Sequence, residues 1–202
     1  MELQNALSQI ARIKSQMART RTFRGYRAGT TLATGLAALG AAIWQMRFIP
    51  RPALDPIGFV DLWVAVAVGS IVLVGTEIIQ RYRHTESSLE RELTIHAAEQ
   101  FLPCIIVGGL VTMALCDFAP SAIRLLPGLW PIFFGLGLMA SRRLLPGMIS
   151  LVAAFYLLCG LCWLALGRLD YSAWSMGLTF GIGQILSACV LHYSLERHHE
   201  SQ

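Results

Sequence analysis

The sequence predicts an all-α integral membrane protein: six transmembrane helices arranged as hairpins, with an N-terminal amphipathic cytoplasmic helix in front of them. Three observations carry this reading. Of the 202 residues, 55% are hydrophobic and only 14% charged, where a soluble domain carries about a quarter charged residues. The mean hydropathy is +0.57. The charges gather in short islands separated by long apolar tracts, the pattern a bilayer imposes on a chain that crosses it repeatedly.

Residues 1–27 form a separate element. Leu3, Leu7, Ile10, Ile13 and Met17 recur at three- and four-residue steps opposite Gln4, Ser8, Arg12, Ser15 and Arg19, the signature of an amphipathic helix. Arg12, Lys14, Arg19, Arg21, Arg24 and Arg27 give it positive charge with no acidic residue between them. Such a segment is drawn to anionic lipid headgroups by about 1 kcal/mol per charge. Lys14 and Arg21 fall on the would-be heptad seam, which argues against a coiled coil. The long basic region and the nearly twenty-residue apolar stretch behind it read as an uncleaved first span rather than a signal peptide.

The bundle is expected over residues 28–195, with spans at about 28–46, 57–79, 100–118, 129–145, 148–167 and 173–193. Roughly twenty residues suffice for each crossing. Three prolines in "MRFIPRPALDP" turn the first hairpin, and Pro131 is expected to open span 4. Arg-Leu-Leu-Pro-Gly occurs twice, at residues 124–128 and 143–147. It reads as boundary chemistry, the first copy ending an outer interfacial piece and the second ending span 4.

Residues 80–99 form the longest connector between spans. Ser87 and Glu90 have capping-box spacing, so a helix beginning near Ser87 is expected there. Residues 196–202 are a short tail.

Orientation follows from Lys and Arg. Twelve lie on the side holding the N-terminal segment, the 80–99 connector, Arg142, Arg143 and Arg197; the other side holds four, Arg47, Arg51, Arg124 and Arg168. The richer side is normally cytoplasmic, which places both termini inside a cell (inner or plasma) membrane.

Ionisable and strongly polar groups within spans are the functional candidates, because charge in hydrocarbon is costly. They are Asp61, Glu77, Gln184 and His192. Asp61 and Glu77 stand sixteen residues apart, about 24 Å along a helix, near opposite interfaces. Gln184 lies near mid-bilayer and is expected to hydrogen-bond between spans 6 and 4. Gly135 and Gly137 in "FGLG" echo Gly181 and Gly183 in "FGIG", and closely spaced glycines point to helix packing, here a shared groove between those spans. Cys159 and Cys162 have C-x-x-C spacing inside an apolar tract, where they read as packing residues.

No Gly-rich phosphate loop, serine elbow, zinc-protease helix or calcium loop is present. A haem held by His96 and His192 is disfavoured, because His96 precedes the deep part of span 3. The chain is therefore read as a non-enzymatic regulatory or accessory protein that uses no cofactor and binds no nucleic acid. Its expected contacts are membrane lipids, copies of itself or a cytoplasmic protein. The alternative is a small transporter or channel with a polar pathway along spans 2 and 6.

Overall fold

The computed structural model describes residues 28–49, 51–84, 88–166 and 171–196. The N-terminal helix expected over residues 1–27, with its six basic residues, and the tail beyond Glu196 lie outside the described residues. Among the described residues six α-helices form the bundle: α1 (Ala28–Phe48), α2 (Pro56–His84), α3 (Ser88–Phe118), α4 (Leu126–Ala140), α5 (Ile149–Ala165) and α6 (Ala173–Glu196). Short 3-10 turns precede and follow α4, at Pro120–Leu125 and Ser141–Arg143. There is no strand among the described residues.

Four stretches are long and apolar enough to cross a membrane: Pro56–Gln80, Ala98–Phe118, Pro120–Ala140 and Ala173–Tyr193. The 17-residue α5 is apolar but shorter. The 21 residues of α1 are long enough, but its glycines, threonines and Gln45 dilute the apolar character.

Local chemistry explains the ends. Asp55 caps α2, its carboxylate accepting from the Gly58 N–H at 2.9 Å, and Pro56 follows where a missing N–H costs nothing. The helix expected in the connector and span 3 are one continuous α3, which carries Pro103 in its interior. Span 4 departs further from expectation. Its helix begins at Leu126 rather than at Pro131, because Pro127 fits the first turn, and it ends at Ala140 rather than Leu145. The two Arg-Leu-Leu-Pro-Gly copies therefore play opposite parts, the first starting α4 and the second lying in the turn after it.

The two largest interfaces are antiparallel. Gly35 and Ala42 of α1 meet Gln184 and Gly177 of α6, respectively, while Gly128 and Gly135 of α4 meet Gly160 and Ala153 of α5. The most extensive interfaces are α1 with α6 and α4 with α5, whereas α2 and α3 touch only sparsely. The α1 seam is made of small side chains, Thr31, Gly35, Ala38 and Ala42, facing Gly177, Gly181 and Ala188. Small residues let the two backbones approach closely. Exposed Val68, Val72, Leu110 and Met113 of α2 and α3 form an outward apolar face.

Candidate functional site

Polar groups inside an apolar bundle must find one another, and three tryptophans show how they do. Gln45, 1% exposed, sits in the last turn of α1. Its Oε1 accepts from the Trp63 indole N–H of α2 at 2.8 Å, and its Nε2 donates to the Tyr171 carbonyl at 2.8 Å. Both ends of the amide are thus engaged. In α4, Trp130 donates to the Thr112 hydroxyl of α3 at 2.9 Å, and that hydroxyl donates back to the Gly108 carbonyl at 2.8 Å. In α5, Trp163 donates to Thr179 of α6 at 3.2 Å, while the Thr179 hydroxyl donates to the Ser175 carbonyl.

Around Gln45 the rings close the space. Phe59, fully buried, stacks on Trp130 at 6.2 Å between centroids and meets Tyr171 edge-on at 5.2 Å. Burial pushes the Tyr171 phenol above its ordinary range, and the Arg124 guanidinium offsets part of that rise. A second aromatic group, Phe134, Tyr156 and Phe180, joins α4, α5 and α6 with centroids 4.8 to 5.7 Å apart.

The candidates read from sequence are not brought together. Asp61 is exposed on α2, within electrostatic range of Cys116 of α3. Glu77 is half-buried toward the other end of α2 and accepts from the Thr30 hydroxyl of α1. His192 is exposed near the end of α6, its ring 6.5 Å from that of Tyr193. His96, also exposed, contacts Glu99 at 3.1 Å. Among the described residues no group of three His, Cys, Asp or Glu has a metal-holding arrangement.

Gln184 corrects an expectation. It is half-buried against α1, its Cβ 3.0 Å from where a Gly35 side chain would begin, and it does not bridge α6 to α4. The four glycines likewise face different partners. Gly135 meets Ala153 and Leu157 of α5, Gly137 meets Phe101 of α3, Gly181 meets Leu39 of α1 and Gly183 meets the Tyr156 ring of α5. Where α4 and α6 approach, Phe134 and Phe180 make the contact. Cys159 is half-buried and Cys162 exposed on α5, both as free thiols.

Sequence reasoning missed Gln45, Thr112 and Thr179, the acceptors that matter most to the packing. A signal was available, since each lies 16 to 18 residues from a tryptophan across a short connector. It also missed the closest backbone approach. A methyl group on Gly160 would fall 2.6 Å from the Gly128 carbonyl oxygen, so the glycine inside C-x-x-C is a helix-contact residue. Comparison with protein-family models, with curated proteins and with solved structures gives no match in any of the three.

Proposed function

We propose that all six helices cross a cell membrane as three hairpins, with both termini on the basic, cytoplasmic side, and that the bundle is a non-enzymatic regulatory or accessory protein. One observation carries this reading: the buried polar side chains Gln45, Thr112 and Thr179 are engaged in ties between helices. Polar side chains used as ties do not line a pathway. Working contacts then fall on the surface, with lipid, with a second copy, or with a cytoplasmic protein at the 80–99 connector. There α2 runs on to His84 and α3 starts ten residues before its apolar stretch at Ala98, about 15 Å of helix beyond it.

The test is recovery of interacting protein from detergent extracts, comparing the native chain with one whose connector charges Glu90, Arg91 and Glu92 are changed to alanine. A specific protein lost with the variant supports the reading. A second reading, a small transporter, rests on Gln184, which lies two residues and so about 200° around α6 from exposed Ile182 and therefore faces the bundle interior. Substrate flux through liposomes that disappears in a stable Gln184→Leu protein would favour it over the first.

A further inference from the structure

α2 is fastened to the bundle at one end. Its bundle-facing stripe, at three- and four-residue steps, runs Phe59, Trp63, Val66, Ser70, Val74 and Glu77. Phe59 and Trp63 are buried, at 0% and 4% exposure, but from Val66 onward every member of the stripe is only half-buried. The buried end is held by the Gln45 hydrogen bond, the stacked Trp130 ring and the Tyr171 edge contact. Beyond it the hydroxyls of Ser70 and Thr76 turn back to carbonyls of α2 itself, at Val66 and Leu73, so neither ties α2 to a neighbour. On its other flank α2 touches α3 sparsely, although the two follow one another in the chain. Near the far end, Thr30 of α1 donates to Glu77.

We propose that α2 is a hinged helix that pivots about Phe59 and Trp63, with the Thr30–Glu77 contact as the catch that closes it against α1. The physical reason is an asymmetry of replacement. Lipid tails substitute readily for the sparse apolar contacts of the Val66–Ile79 half, but they offer the Trp63 indole no acceptor. Motion is therefore confined to the half that loses least. From Trp63 to Glu77 is about 21 Å of helix, and a swing of about 15° carries Glu77 about 5 Å outward. That swing opens the α1–α2 seam at its Glu77 end and displaces the His84 end of α2. It links the state of the membrane-embedded helix to the position of the connector.

Spin labels on the full-length protein in lipid nanodiscs test this, with the native cysteines replaced. One label sits at position 158 on α5, and the other at position 64 or at position 79 on α2; all three side chains are exposed. The 158–64 pair is expected to give one narrow distance, and the 158–79 pair two populations about 5 Å apart. Glu77→Ala should shift the 158–79 pair to the longer distance. Glu77→Gln, which still accepts from Thr30, should not. A disulfide between Thr30→Cys and Glu77→Cys should leave only the short distance. If Glu77→Ala does not fold, Thr30→Val replaces it with the same expected shift. A 158–79 distribution as narrow as that of 158–64 and unmoved by these changes overturns the hinge, and so does equal broadening of both pairs.

Discussion

The Trp63 indole of α2 and the Gln45 amide of α1 meet 2.8 Å apart, eighteen residues from each other in sequence. The pair α3 and α4 repeats the arrangement with Thr112 and Trp130, and the pair α5 and α6 with Trp163 and Thr179. Each tie lies near the short connector between its two helices. An indole N–H has one donor and no acceptor, so a single oxygen on the facing helix satisfies it and fixes the register of the pair.

Gln45→Leu is expected to destabilise the protein by about 1 to 3 kcal/mol, because it leaves the buried Trp63 N–H without its acceptor and the Tyr171 carbonyl without a donor. Trp63→Phe should cost a comparable amount. In the double variant the losses should not add, and a coupling of about 0.6 to 2 kcal/mol is expected from unfolding in detergent. Additive losses would mean that the two side chains act independently.

Gly160→Ala should lower the melting temperature clearly, because its Cβ would fall 2.6 Å from the Gly128 backbone oxygen and 2.6 Å from Ile132. A carbonyl in a helix cannot turn away as a side chain can, so the α4–α5 contact must open, at about 1 to 3 kcal/mol. Gly69→Ala and Gly109→Ala meet nothing within 4 Å and should leave stability unchanged or slightly raised. An unaffected Gly160→Ala protein would contradict the close approach of α4 and α5.

Gln184→Leu should be far milder than Gln45→Leu, changing stability by less than about 1 kcal/mol, since Gln184 is half-buried and leucine is of similar size. Melting curves of the two variants side by side decide the matter. A large loss for Gln184→Leu would show that its amide is a structural tie after all.

Raising the pH above about 10, the ordinary tyrosine value, should destabilise the protein in part through Tyr171. Its folded-state pKa is raised by burial, so the folded state holds the proton more tightly than the unfolded one. Stability from this group is complete below the unfolded value and is lost as pH rises through the folded one. Tyr171→Phe should reduce that alkaline loss while keeping the Gln45 hydrogen bond, which uses the Tyr171 backbone carbonyl. Melting measured against pH for both proteins checks this.

The six-crossing scheme predicts that cysteine labels near Pro52, Ser121 and Asp170 react on one face of the membrane and labels near Ser88 and Ser201 on the other. One reversed loop would remove the hairpin arrangement.

Helix positions were legible because apolar length is written directly in the residues. The bounds expected for spans 1, 5 and 6 fall within about two or three residues of α1, α5 and α6. Span 4 was displaced because a proline is equally at home in the first turn of a helix and in the turn that follows one. Its own letters do not say which. The pairing of helices was not legible from single residues. Gly135 and Gly181 stand in the near-identical stretches Phe-Gly-Leu-Gly and Phe-Gly-Ile-Gly and have different neighbours in space, since a small residue announces a close approach but not the partner. Gln45 was passed over because it sits at the edge of a span, where a glutamine ordinarily meets water.

The seam between α1 and α6 sets an order of events during synthesis. About 125 residues separate the end of α1 from the start of α6, and at about 5 to 20 residues per second the ribosome takes roughly 6 to 25 seconds to make them. Through that interval the Thr31–Ala42 stripe has been made and its permanent neighbour has not. Until α6 arrives the stripe must rest against something other than its permanent neighbour.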